Sequence, residues 1–131
     1  IVGVDTVVMG EITGIENGLA LVSIKGRTIV AVPPSEPSRR VHVLIRGEDV
    51  TLQREQHGDS SVRNQLSARI RWLAPEGALV RVGLDCGFDL SATITKNSCE
   101  QFGFAEGDHV IAAIKAPAVL LLPVPGEEPA A

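Results

Sequence analysis

Aromatic residues are almost missing from this 131-residue chain: three Phe, one Trp and no Tyr. Single-stranded nucleic acid is normally gripped by stacking on such rings within a basic groove, and that groove is missing too. Lys and Arg number 12 against 16 Asp and Glu, a formal net charge of −4. Cysteine is scarce as well. Cys86 and Cys99 leave room for a single disulfide, but the expected reading is reduced core thiols of a cytosolic protein. His42, His57 and His109 are scattered, without the spacing of metal ligands. No apolar run approaches the roughly 18 residues of a membrane span. The opening Ile1-Val2-Gly3 has neither a basic head nor an initiating Met, so no signal peptide is expected, and the abrupt apolar start reads as a piece of a longer chain. There is no G-x-x-x-x-G-K-[ST] loop, and no nucleophile–base pair or carboxylate dyad can be assembled from nearby residues, so the chain is not expected to be an enzyme.

What the chain does have is aliphatic bulk arranged twice. Hydrophobic residues make up 44% of it, mostly Val, Ile and Leu, which favours strands. Met9-Gly10-Glu11-Ile12 is answered by Ser67-Ala68-Arg69-Ile70, and Val41-His42-Val43-Leu44-Ile45-Arg46 by Val110-Ile111-Ala112-Ala113-Ile114-Lys115. Between these runs, Gly turns at Asn17-Gly18, Lys25-Gly26, Glu76-Gly77 and Cys86-Gly87 separate about five short strands per half. The expected fold is all-β: two OB-like five-stranded barrels in tandem, spanning residues 1–52 and 60–123. The second holds one short helix, with Thr95 as N-cap, Lys96 to Phe102 as its body and Gly103 as its stop. The first replaces that helix with Pro33-Pro34-Ser35-Glu36-Pro37, which cannot be helical. Residues 53–59 read as a polar linker and 124–131 as a disordered tail. Trp72 is expected to cover one barrel end.

Chemistry concentrates at the two ends of the second half. Ser60, Ser61, Arg63 and Asn64 head it, and Lys115 stands as an isolated cation between Ile114 and Ala116 near its tail. Taken singly these are a solvated lead-in and a snorkelling surface lysine. Brought together, they form a cluster of donors suited to a small, fully ionised oxyanion such as molybdate, tungstate or sulfate. Phosphate carries a proton that needs an acceptor, and in sequence no carboxylate adjoins Ser61 or Lys115.

Ser60-Ser61-Val62-Arg63-Asn64-Gln65-Leu66, Ala92-Thr93-Ile94-Thr95 with Ser98, Gly103-Phe104-Ala105-Glu106-Gly107-Asp108-His109-Val110, and Ala113-Ile114-Lys115-Ala116 together resemble the Mop (molbindin) module of the TOBE superfamily. The resemblance covers residues 60–121, and the first half is similar in outline only, as in a tandem di-Mop arrangement. The run from Ile1 to Gly10 resembles the opening of the C-terminal domain of ABC-transporter ATP-binding subunits. The resemblance implies a cytoplasmic molybdate- and tungstate-binding regulatory domain of an import ATPase. Its anion contacts would be Ser61, Arg63, Lys115 and the Ala116 backbone N–H, with Ser60 and Asn64 as weaker candidates. No resident cofactor or metal is expected, molybdenum entering only as the oxyanion. The implied partners are a second copy of the chain in a homodimer, the nucleotide-binding domain and a membrane permease, which would hold the domain at the inner face of the membrane. In the first half Gly3 and Asp5 stand where Ser61 and Arg63 stand in the second. Arg46 answers Lys115, but Asp5 would repel an anion, so that half is expected to be scaffold or to hold only part of a site. A free-standing molybdate storage protein and, less favoured, an OB-fold nucleic-acid binder are the alternatives.

Overall fold

The computed structural model describes residues 3–56, 58 and 63–126, Arg63 in its backbone alone. The first half contributes β1 (Val4–Glu16), β2 (Leu19–Ile24), β3 (Arg27–Ala31), β4 (Arg40–Arg46) and β5 (Thr51–Gln53). The second contributes β6 (Arg63–Glu76), β7 (Leu79–Asp85), β8 (Asp89–Thr95), α1 (Lys96–Phe102), β9 (His109–Lys115) and β10 (Leu120–Pro123). Alternation along the strands is the reason for them. In β4, Val41, Val43 and Ile45 are buried while the residues between them face outward. Asn17 and Gly18 both take left-handed backbone angles, φ 53° and 79°, giving the tight β1–β2 hairpin whose twist matches its strands. α1 starts and stops as its sequence implies: the Ser98 N–H donates to Thr95 Oγ1 at 3.0 Å, and Gly103 closes it at φ 65°.

β1 and β6 are long because each serves two neighbours. The start of β1 pairs with β4 and its end with β2, and β6 does the same with β9 and β7. Register shifts at Thr13 and Arg71 bend the two strands between these roles. The result is two OB-like β modules, each a five-stranded sheet.

The sheets do not follow the division at residues 52 and 60. After β4 the chain makes a 3-10 turn (Gly47–Asp49) and crosses, so that β5 joins the second sheet at its β9 edge. After β9 a matching 3-10 turn (Ala116–Ala118) carries β10 back to the β4 edge of the first sheet. The repeats are contiguous in sequence, but each module is completed by the other's last strand. Burial favours the exchange: Val50 and Leu52, then Val119 and Leu121, bury their side chains beside the opposite module's strands. One contiguous core runs through both halves.

Two further expectations are revised. Of the stretch read as linker, Gln53 belongs to β5, and Arg54 donates to Asp108 Oδ2 at 3.2 Å and to the Phe102 carbonyl at 2.8 Å. Its guanidinium lies 4.8 Å from the Phe104 ring centroid, a cation–π contact that fixes the crossing chain to the second module. At the tail, the Val124 N–H still donates to the Arg40 carbonyl, continuing the β10–β4 edge; residues 127–131 lie outside those described. Trp72, expected at a barrel end, stands half exposed with its ring over Gly83. Among the described residues, no helix is long and apolar enough to cross a membrane.

Both cysteines are free thiols. Burial pushes the Cys86 thiol up from its ordinary pKa, against the smaller opposing effect of its hydrogen bond with Phe88. A raised acid keeps its stabilising contribution below the ordinary thiol pKa and loses it as pH climbs through the folded value. Thiol reagents at mildly alkaline pH are expected to label half-buried Cys99 in the native chain and Cys86 only after denaturation, as peptide mapping would read.

Leu121→Ala empties a site in the first module while altering the second half's sequence. The expected loss is about 2–5 kcal/mol. Urea unfolding followed by circular dichroism should show this in one cooperative transition of the whole chain, whereas two separate transitions would contradict the exchange.

Candidate functional site

β9 ends at Lys115, whose Cα lies in register opposite Arg63 at the start of β6. This pairing follows from the shared alternation of the two strands, which buries Leu66 with Ala112 and Asn64 with Ile114. The long-range register therefore brings the head and tail of the second half together, as the candidate site requires. The Lys115 side chain is exposed and forms no ion pair among the described residues. Ala116 is buried at the start of the 3-10 turn, which packs against β3 of the first module. Lys115 and Ala116 thus stand at a junction between modules. Ser60 and Ser61 lie outside the described residues, as does the Arg63 side chain.

Asn64 has a different role from the one expected. Its Oδ1 accepts from the Val30 N–H at 2.7 Å, and its Nδ2 donates to the Val30 carbonyl at 2.9 Å and the Ile114 carbonyl at 3.2 Å. Both amide protons are committed to backbone, leaving no donor for an anion. The side chain is only 7% exposed and ties β6 of one module to β3 of the other. Thr6, its counterpart in β1, makes the reciprocal tie: Thr6 Oγ1 accepts from the Ser91 N–H of β8 at 3.0 Å. Each half thus reaches across to the third strand of the other.

The donor-only lining expected from the sequence is also revised. Because β5 crosses to the second sheet, the turn before it brings Glu48 and Asp49 to the same shallow cavity as Lys115, about 190 Å³ in volume, with Thr51, Ala113 and Ala118. Neither carboxylate pairs with Lys115. They lie far from Lys115 in sequence, and only the strand exchange makes them neighbours. These carboxylates are proton acceptors, so the lining of this cavity does not exclude a protonated phosphate for want of an acceptor.

The equivalent end of the first module is arranged differently. Arg46 pairs with Val4, and the register shift between Val4 and Thr6 leaves Asp5 as the extra residue. Asp5 Oδ2 accepts from the Gly47 N–H at 3.1 Å, and Oδ1 lies 3.4 Å from a guanidinium nitrogen of Arg81 on β7. Elsewhere in the second module, the Gly87 N–H and the Arg71 guanidinium hold the Asp85 carboxyl below its usual range. No group of three or more His, Cys, Asp or Glu residues able to hold a metal is found among the described residues.

Comparison with known proteins places these features in context. Residues 60–121 match the TOBE domain family. The molybdenum import ATP-binding protein ModC 1 of Azotobacter vinelandii is 37% identical over 99 residues, covering 72% of this chain and 27% of that protein. The molybdate/tungstate import ATP-binding protein WtpC of Pyrococcus horikoshii is 38% identical over 91 residues, 69% of this chain and 26% of its own length. ModC of Bordetella parapertussis is 34% identical over 122 residues, 87% of this chain and 33% of its own. The chain therefore spans about a quarter to a third of the length of these relatives. Among solved structures, the cytoplasmic molybdate-binding protein ModG with molybdate bound superposes with a TM-score of 0.74 over 94% of this chain and 99% of that one. At 20% identity, that likeness speaks to the fold.

Asn64→Ala leaves the part-buried Val30 N–H without its acceptor and frees the two modules from one tie. The expected loss is about 1–3 kcal/mol of stability, the cost of leaving such a donor unsatisfied, read by chemical denaturation.

Proposed function

Residues 60–121 belong to the TOBE domain family, and on that premise we propose that this chain is the molybdate- and tungstate-binding regulatory domain of an ABC-type molybdate import ATPase. The observation that carries the reading is Lys115: an exposed cation without an ion pair among the described residues, in register with Arg63, followed directly by the buried Ala116. An oxyanion held there would accept from the Lys115 ammonium, the Arg63 guanidinium, the Ala116 N–H and the hydroxyls of Ser61 and Ser60. Charge-assisted hydrogen bonds of this kind are the strong ones, and two cations match a dianion. Glu48 and Asp49 at the rim oppose any anion by like charge. Affinity then depends on keeping both cations, and removing either leaves the acidic rim in excess.

The relatives that support this reading are import ATP-binding proteins matched over part of their length. In such a subunit the domain would work in the cytoplasm, at the inner face of the membrane, beside a nucleotide-binding domain and a permease. The chain would be the binding part and the ATPase chemistry would belong elsewhere in the subunit. Because the candidate site lies at a junction between modules, anion binding neutralises clustered donors and favours one arrangement across that junction. Two such chains meeting as a homodimer would let the transporter sense intracellular oxyanion.

Calorimetric titration with molybdate tests the reading directly. Heat and a raised melting temperature are expected, and neither at millimolar molybdate would refute it. Lys115→Ala should weaken binding by about 1.5–3 kcal/mol, roughly 10- to 150-fold, the range for a hydrogen bond to a charged group. Arg46→Ala should change affinity little. Sedimentation at high concentration should show a dimer with molybdate present, and a monomer throughout would contradict the assembly.

A further inference from the structure

Asp5 precedes Thr6 in the first module as Arg63 precedes Asn64 in the second, but the residue paired with Arg46 is Val4, and Asp5 is the extra residue of the bulge. Arg46 stands for Lys115, and Gly47 stands for Ala116 at the start of the following 3-10 turn. Where the second module offers cations and an N–H, the first supplies an anion of its own. The register shift between Val4 and Thr6 makes Asp5 an extra residue and turns its carboxylate aside from the ladder. One carboxylate oxygen accepts from the Gly47 N–H at 3.1 Å, and the other faces the Arg81 guanidinium at 3.4 Å. A methyl group added at Gly47 would collide with Asp5 Oδ2 and with Thr93 Oγ1. The turn is therefore drawn tightly over the carboxylate and against β8 of the second module. Arg81 and Thr93 belong to that second module, so the carboxylate sits where the two halves meet.

A neighbouring cavity of about 200 Å³ is lined by Asp5, Arg71, Arg81 and Ser91, among others. Ser91 is 8% exposed, and its Oγ has no hydrogen-bond partner. The Gly47 N–H, the Arg81 guanidinium and the unengaged Ser91 hydroxyl are donors of the kind a small oxyanion takes, and here a tethered carboxylate takes the first two. The Arg71 guanidinium is held by Asp85 and by Asp89, which also lines the cavity. We propose that Asp5 is a built-in substitute for the oxyanion: its carboxylate fills the first module's anion position, so the chain takes up a single oxyanion, at the second module. The proposal rests on the oxyanion reading of the second module. It makes the pair of junctions unequal, one closed permanently by the chain itself and the other closed by ligand.

The test is Asp5→Ser, titrated with molybdate and separately with sulfate, read by calorimetry and thermal unfolding. Wild type is expected to bind one molybdate per chain. Without oxyanion, Asp5→Ser should melt several degrees lower. Millimolar molybdate or sulfate should restore that loss, and the molybdate stoichiometry should rise to two. The restoration should persist in the double variant Asp5→Ser, Lys115→Ala, since it belongs to the first module. Two molybdates per wild-type chain would overturn the proposal. So would an Asp5→Ser variant that melts like wild type, or one whose loss neither oxyanion restores. If wild type binds no molybdate, the reading of the second module fails, while the role of Asp5 is still decided by whether sulfate restores the variant. Should Asp5→Ser not fold on expression, refolding from urea with and without oxyanion reads the same quantity: dependence on the anion supports the proposal and independence refutes it.

Discussion

The exchange of last strands between the two sheets governs most of what is described above. The four strands that each half keeps leave an open ladder at β4 or β9 unless a fifth strand pairs there, and an unpaired edge exposes backbone donors and acceptors. Each half supplies that strand to the other rather than to itself. Neither module can then be complete while the other is unfolded, and the aliphatic core is continuous across the chain. An aromatic-poor sequence gains from this arrangement. With few large rings to bury, it reaches one core by sharing small and β-branched side chains between two sheets.

The crossing also decides what lies at the ends of the modules. Each strand that leaves its own sheet does so through a 3-10 turn, and those turns are pressed against β8 and β3 of the opposite half. Asn64 and Thr6 then fasten the modules from the other side by accepting backbone N–H groups of β3 and β8. The N–H groups at the starts of the turns, Gly47 and Ala116, are thereby held at junctions rather than on an open surface. A change that alters how tightly a junction closes acts on both halves at once. That gives a binding event at one small site a route to the arrangement of the whole domain.

Similar frames carry opposite electrostatics. At the first module a carboxylate from its own chain meets the backbone donor and a guanidinium. At the second, Lys115 is left exposed across from Arg63. Glu48 and Asp49 approach that lysine only because their strand crosses over, so the exchange moderates the positive end that it helps to build. Net charge conveys none of this. An overall balance of −4 coexists with a local end where the Lys115 ammonium faces solvent.

Local physics carried far in the sequence alone. Alternation of apolar residues located the strands, the paired left-handed residues at Asn17 and Gly18 marked a hairpin, and Thr95 with Gly103 bounded the helix. These depend on neighbours within a few positions, so they are visible without tertiary structure. The repeat and the all-β class were legible from the same rhythm, whereas the meeting of Lys115 with Arg63 in one chain was decided by the long-range register of β6 and β9. What the sequence did not decide is which sheet receives each fifth strand, because in Thr51–Gln53 and Leu120–Pro123 one buried leucine, Leu52 or Leu121, marks a face without naming a partner. From that choice follow the carboxylates beside Lys115, the anchoring of Arg54, and the meeting of Asp5 with Arg81. Asn64 likewise read as a donor for a ligand until Val30, 34 residues away, occupied its amide. Contacts set by long-range pairing have no local signature, and only the closed fold determines them.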